Sequence, residues 1–263
     1  MRRFTSEYLE TTRSGMWADS RDALASLDLE RRERILDVGA GTGALTAVLR
    51  EETPATVLAL DADPTLLADV PPPRVLGDAT RLPIRTDGVD LVVCQALLVN
   101  LPEPASAVDE FARASSDLVG AVEPDNSAVA VESSVPAESR LARDARKRYL
   151  AGVETDAALG GTRDLFEAAG LTEVSVTRYE HVRTVEGPYS DGAVESARRK
   201  ATGEGLEADR ETILAGPTTP GEFDDLRQAW REMGRTVVDQ MQDGEYRRRE
   251  TVPFFVTVGR VRA

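Results

Sequence analysis

Gly39, Gly41 and Gly43 put three glycines into five positions, directly after the apolar run Ile35–Val38 and directly before a helix-like run that continues to Arg50. A glycine-rich turn between a strand and a helix lets backbone N–H groups approach a ligand closely, and a nucleotide cofactor is the usual occupant. The spacing alone admits two kinds of nucleotide. Gly39, Gly41 and Ala44 satisfy the G-x-G-x-x-A variant of the dinucleotide fingerprint, and Asp61 lies 22 residues after Gly39, near the place of a nicotinamide site's ribose carboxylate. Any ribose presents two hydroxyls from which one carboxylate can accept, so Asp61 suits either ligand.

Residues further along narrow the choice. Asp37 stands two positions before the first glycine, "LALDADP" carries Asp61 at a strand end, "LGDATRLPI" puts Asp78 and Ala79 after a third strand, and "VDLVVCQALLVNLPEP" follows as a fourth. In this order and spacing the motifs resemble the class I S-adenosylmethionine-dependent methyltransferases, and most of all the small-molecule branch whose third-strand motif reads G-D-A-x-x-L-P. The resemblance covers Arg34 to about Asn126 closely and the closing strands more loosely. It implies an α/β fold: a Rossmann-like, doubly wound, mostly parallel seven-stranded sheet with helices on both faces and an antiparallel C-terminal strand. It further implies S-adenosyl-L-methionine as cofactor. Gly39, Gly41 and Gly43 would make room for its amino-acid end and ribose, and Asp37 would anchor the turn and the ammonium side. Asp61, with Ala62 beside it, would hold both ribose hydroxyls. Asp78 would accept from the adenine amine with the Ala79 N–H facing a ring nitrogen, and Gln95 would lie near the methionine portion.

The implied reaction is methyl transfer to a small-molecule acceptor by in-line displacement, which relies on alignment and exclusion of water rather than covalent catalysis. The Asn/Asp-Pro-Pro-Tyr motif of many amino-group methyltransferases is replaced by Cys94-Gln95-Ala96-Leu97, which argues against DNA adenine and protein glutamine as acceptors. The family's frequent His-His before Leu-Pro is replaced by Val99-Asn100. Candidate acceptor contacts are Asn100, Glu123 and Asn126 beyond the fourth and fifth strands, Tyr8 and Trp17 from the N-terminal side, and Trp230 from a later helix. Two other functions stay open at this point: a non-catalytic S-adenosylmethionine-binding protein and a nicotinamide-dependent oxidoreductase. Asp63, before Pro64, reads as a helix cap. Cys94 reads as a small buried residue and His181 as a member of an alternating strand, and the arginine runs near 147 and 248 read as solvated faces or strand flanks.

The elements that must position these residues alternate. Ile35–Val38, Thr56–Leu60, Arg74–Leu76, Val89–Cys94 and Leu118–Val122 are short runs rich in Val, Ile and Leu, as expected of parallel strands covered on both faces. Residues 1–30 read as an N-terminal helical segment. Leu141, Ala145 and Tyr149 form a helix stripe ending at Gly152. Thr219, Pro220 and Glu222 open a helix as N-cap, first helical residue and capping box, and its stripe runs Phe223, Leu226, Trp230, Met233, Val237, Met241. Residues 189–243 are expected to form a helical, lid-like insertion before the last strand, within a single domain of residues 1–263.

The chain carries 46 Asp plus Glu against 32 Lys plus Arg, a net charge of −14, and its only lysines are Lys147 and Lys200. Scarce lysine beside abundant arginine and excess carboxylate points to halophilic adaptation rather than to an acidic surface that serves to avoid nucleic acid and membrane, and no nucleic-acid partner is expected. No window approaches a membrane span or a signal-peptide core, so a cytoplasmic location is expected. One cysteine and one histidine leave no intramolecular disulfide and no Cys/His cluster for zinc. If the charge is an adaptation to salt, the melting temperature should rise as potassium chloride is raised from low to molar concentration, where the Debye length falls to about 3 Å. A melting temperature highest in dilute buffer would assign the acidic surface to a partner instead.

Overall fold

The computed structural model describes residues 16–155 and 162–262. Contacts divide the chain into two compact units, one comprising 1–125, 159–181 and 253–263, the other 126–158 and 182–252. The described residues contain eight strands, numbered in chain order β1 (Arg34–Val38), β2 (Thr56–Asp61), β3 (Arg74–Leu76), β4 (Val89–Gln95), β5 (Ser115–Pro124), β6 (Ala130–Ser133), β7 (Thr172–Val185) and β8 (Arg248–Arg260), which pair in the order β3-β2-β1-β4-β5-β8-β6, with β7 also pairing β8. The expected architecture is present, with one strand more among the described residues than the seven anticipated. The additional pairing arises because the last strand is 13 residues long, and its two halves take different antiparallel partners.

In the first unit, α1 (Met16–Asp19) and short 3-10 turns precede β1 (Arg34–Val38), α2 (Ala44–Glu52), β2 (Thr56–Asp61), α3 (Pro64–Leu67), β3 (Arg74–Leu76), β4 (Val89–Gln95), α4 (Pro104–Ala114) and β5 (Ser115–Pro124). The pairs β1–β2, β1–β4, β2–β3 and β4–β5 are parallel. Side chains alternate across the sheet as period-2 geometry requires. Ile35, Leu91, Val93, Leu118 and Val122 pack with Leu24, Leu27, Leu45 and Leu49 on one face. Leu36, Val38, Val92, Cys94, Val119 and Ala121 pack with Val108, Phe111 and Phe166 on the other. Covering on both faces explains why these strands read as apolar runs rather than as alternating patterns. Later in the chain come α6 (Arg163–Ala168) and β7 (Thr172–Val185), and β8 (Arg248–Arg260) closes antiparallel to β5. His181 is buried in β7. At the opposite sheet edge from the glycine turn, Asp90 accepts the N–H groups of Glu33 and Arg34 at 2.6 and 3.0 Å and so joins β1 to β4.

In the second unit, β6 (Ala130–Ser133) pairs antiparallel with Arg248–Thr251, and the helices are α5 (Pro136–Gly152), α7 (Asp191–Thr202), α8 (Glu204–Ala208), α9 (Arg210–Ala215) and α10 (Pro220–Gln242). The predicted capping box at Thr219 and Glu222 is present in both directions. Phe223, Leu226, Met233 and Val237 of the α10 stripe are buried with Leu141, Ala145, Leu206 and Ile213, and Trp230 and Met241 are half-buried beside them. Packing within the unit thus accounts for most of that stripe. Where α10 crosses α7, Gly234 lies so close that an added Cβ would sit 2.3 Å from the Ala201 nitrogen.

A buried ion network completes this unit. Glu138, 1% exposed, accepts from Ser133 Oγ at 2.6 Å, Lys200 Nζ at 2.5 Å and the Tyr246 hydroxyl at 2.9 Å. Glu250 pairs with Arg183 at 2.6 Å and also with Arg248. Burial alone would push the Glu250 carboxyl up, but the Arg248 and Arg183 guanidiniums outweigh it and hold it at about 2. Burial is likewise outweighed at Glu138, chiefly by Lys200, and its carboxyl lies below the ordinary range.

These contacts generate two predictions. Gly234→Ala should destabilise the protein by about 2 kcal/mol, because overpacking against the α7 backbone exceeds the gain in helix propensity; a urea titration showing stabilisation would refute the close crossing. Because the folded-state pKa of Glu250 is depressed, its contribution is complete above the unfolded-state value and is lost as pH falls through that value toward 2. The stability gap between wild type and Glu250→Gln should therefore narrow by about 2 kcal/mol between roughly pH 6 and pH 3. A gap independent of pH would show that the carboxylate is not held by its arginines.

Candidate functional site

The carboxyl ends of β1, β2, β3 and β4 lie side by side because their registers bring Val38 beside Leu60 and Cys94, and Asp61 beside Leu76. β1 lies between β2 and β4, where the strand order reverses, the position at which open α/β sheets bind ligands. The glycine turn is stitched to β2 there, with the N–H groups of Gly39 and Ala40 both donating to the Leu60 carbonyl at 2.8 and 3.0 Å. All three glycines of the turn have positive φ, 72°, 58° and 85°. At Gly39 an added Cβ would also crowd the Leu97 side chain, 2.9 Å from its Cδ1.

Carboxylates hold this edge. Asp61 Oδ2 accepts the Gly41 N–H at 2.7 Å and Oδ1 accepts the Asp63 N–H at 2.8 Å. A carboxylate has about four lone-pair sites, so both oxygens retain acceptor capacity after these two bonds. Asp78 is exposed; its Oδ1 accepts from the Thr80 N–H and hydroxyl, both at 2.8 Å, while Ala79 behind it is buried. Gly77 N–H donates to the Asp61 carbonyl at 3.0 Å, which places the Asp78 turn next to Asp61. Ala62 is exposed between Asp61 and Asp63. Asp63 caps α3 through the Thr65 N–H at 2.8 Å, as its sequence context predicts.

Asp37, 1% exposed at the end of β1, accepts from the Thr46 hydroxyl at 2.5 Å. Thr46 escaped sequence reasoning. Its signal is a hydroxyl among Leu45, Val48 and Leu49 on the buried side of α2, nine residues after Asp37. Gln95 is buried at the end of β4, where its Oε1 accepts from Trp17 Nε1 at 3.3 Å and its Nε2 lies 3.1 Å from Met16 Sδ. Trp17 is thus brought to Gln95, whereas Tyr8 lies outside the described residues.

Glu123 occupies an unanticipated place. It is 0% exposed, and its carboxylate accepts three backbone N–H groups of the segment after β4: Leu97 and Leu98 on Oε1, each at 3.0 Å, and Val99 on Oε2 at 3.2 Å. Burial pushes its carboxyl up, against the pull of those donors. The Cys94 thiol, 3.6 Å from Oε1, is pushed well up by burial and then by the Glu123 charge. Asn100 closes the same segment by donating from Nδ2 to the Ala96 carbonyl at 2.8 Å. Asn126 and Trp230 belong to the second unit, Asn126 in the turn after β5 and Trp230 on α10.

With this geometry in view, comparison with known proteins identifies the fold as that of the class I S-adenosylmethionine-dependent methyltransferases. A family described as "Methyltransferase domain" matches residues 36–116. A candidate methyltransferase from Bacillus halodurans C-125 is similar over 94% of this chain and 100% of its own, at 16% identity and a TM-score of 0.54. Phosphoethanolamine N-methyltransferase 2 of Haemonchus contortus, solved with phosphomonomethylethanolamine and S-adenosylhomocysteine, is similar over 98% of this chain and 59% of its own, at 14% identity and a TM-score of 0.52. A chain from the Haloferax volcanii complex of the Trm112 methyltransferase activator with a candidate methyltransferase gives 17% identity and a TM-score of 0.52, over 98% of this chain and 95% of its own. Among curated proteins none matches. No described helix is long and apolar enough to cross a membrane.

Proposed function

We propose that this protein transfers the methyl group of S-adenosyl-L-methionine to a small-molecule acceptor. The observation that carries the reading is the convergence of the glycine turn, Asp61 and Asp78 at one sheet edge, with Asp61 bonded to the turn through the Gly41 N–H. The residues fit the cofactor's chemistry. Gly39, Gly41 and Gly43, all at positive φ, form a turn whose backbone carries no side chain toward a ligand, and Asp37 lies near the end of β1 just before it. Asp61 keeps acceptor capacity for two ribose hydroxyls, Ala62 flanks it, and Asp78 with Ala79 offers an acceptor and an N–H suited to an adenine edge. Gln95, at the end of β4, would lie beside the methionine portion of the bound cofactor.

When bound, the cofactor supplies an electrophilic methyl group on a positively charged sulfur. The chain's own contribution is to hold and dry the site. Leu97 lies against Gly39, and Met16 and Trp17 lie against Gln95, so apolar groups flank the turn and the end of β4. Alignment in such an environment lowers the barrier without a covalent intermediate. The acidic surface is read as an adaptation to concentrated salt, and the acceptor as a small molecule rather than a polyanion.

Calorimetry at high salt should show binding of S-adenosylmethionine and S-adenosylhomocysteine but not NAD. Asp61→Ala should lose about 2–4 kcal/mol of that binding, the scale of charge-assisted hydrogen bonds to two hydroxyls. Tight NAD binding without a response to S-adenosylhomocysteine would overturn the cofactor assignment. Release of S-adenosylhomocysteine in the presence of a metabolite extract would establish turnover, and its failure with intact binding would favour a non-catalytic binder.

A further inference from the structure

We propose that Glu123 is a positioning residue: its buried carboxylate holds the segment Ala96–Asn100 in the conformation that presses Leu97 onto the glycine turn, and so sets the shape of the cofactor site. The inference rests on the cofactor reading above and assigns Glu123 a task other than touching the acceptor.

Three consecutive N–H groups, from Leu97 to Val99, point at one carboxylate. They open the 3-10 turn Leu98–Asn100, whose first donors have no partner within the turn itself. An ionised carboxylate is acceptor-only on both oxygens, which suits three converging donors. Charge-assisted bonds of this kind are about twice as strong as neutral ones. The segment also needs holding, because Ala96 has φ 48°, in the left-handed region that disfavours residues bearing a Cβ. Two further bonds complete the anchor, from Ala96 N–H to the Val122 carbonyl at 2.8 Å and from Asn100 Nδ2 to the Ala96 carbonyl at 2.8 Å.

The consequence reaches the glycine turn through one side chain. Leu97 receives Glu123 at its N–H, and its isobutyl group fills the space where a Cβ of Gly39 would stand. Displacement of the Leu97 backbone would therefore open the wall of the turn. The Cys94 thiol, on the strand before the segment and adjacent to Glu123, is the chain's only cysteine and is fully buried. It is a built-in reporter of the segment's opening.

The test uses the full chain and two variants. Glu123→Gln keeps the shape but turns one acceptor into a donor facing a donor. Its Cys94 should react with a disulfide reagent at least tenfold faster than in wild type, well below the melting temperature. Its dissociation constant for S-adenosylhomocysteine should rise at least tenfold, and saturating S-adenosylhomocysteine should restore most of the thiol protection. Leu97→Ala keeps the carboxylate bonds and should weaken S-adenosylhomocysteine at least fivefold while Cys94 stays protected, which separates positioning from general loss of structure and keeps the test valid if Glu123→Gln does not fold. Unchanged affinity in Leu97→Ala, or unchanged thiol protection in a folded Glu123→Gln, would overturn the proposal. A wild type that fails to bind S-adenosylhomocysteine would instead overturn the cofactor reading, while faster amide exchange at Leu97, Leu98 and Val99 in Glu123→Gln would still establish the anchor.

Discussion

Backbone N–H groups left unpaired at the carboxyl ends of parallel strands must find acceptors, and in this protein carboxylates supply them. Asp61 takes Gly41 and Asp63, Asp63 takes Thr65, Asp78 takes Thr80, and Glu123 takes Leu97, Leu98 and Val99. A buried donor without a partner costs about 1–3 kcal/mol, which makes Glu123, whose bonds to Leu98 and Val99 are buried, the strongest of these anchors. The same acidic groups that bring order to this edge retain acceptor capacity toward a ligand. A substitution at Asp61 would disturb the glycine turn that it bonds through the Gly41 N–H.

The second unit is held on a different principle. Its helices bury an aromatic and aliphatic core, and at its margin Glu138 and Glu250 are buried with Lys200, Arg248 and Arg183. Buried ion pairs contribute little net stability against a hydrophobic alternative, but breaking one leaves an unpaired charge at a cost of about 3–5 kcal/mol. The network thus constrains which arrangement of α5, α7 and β8 is permitted more than it strengthens that arrangement. One of the chain's two lysines, Lys200, is spent here rather than on the surface.

Legibility followed the range of the interaction. The glycine turn, the cap at Asp63 and the capping box at Thr219 depend on neighbours within a few residues, while Asp37, Asp61 and Asp78 stand out through a motif order that resembles a known family's. Each left a readable pattern. The eighth strand did not, because Ala130–Ser133 is only four residues long and acquires strand geometry by pairing with Arg248–Thr251, more than a hundred residues away. Thr46 was missed because its partner Asp37 is met only once α2 packs onto the sheet.

By itself the sequence determined the short apolar strands, the glycine turn after β1 and the helix caps, since local backbone geometry and apolar periodicity suffice to specify them, while the doubly wound order was implied by the resemblance of its motifs to those of a known family. Only the tertiary structure decided what Glu123, Leu97 and the α10 stripe do. From sequence Glu123 is a candidate acceptor contact beyond the fifth strand, yet β5 carries it into the interior, where it is bonded to the segment after β4. Leu97 looks like one more loop leucine, yet it occupies the volume that Gly39 leaves empty. Phe223, Leu226 and Met233 of α10 pack with Leu141 and Leu206, contacts that no local pattern specifies. Burial is a property of the assembled chain: a residue's type sets what burial costs, and only its neighbours in space set whether that cost is met.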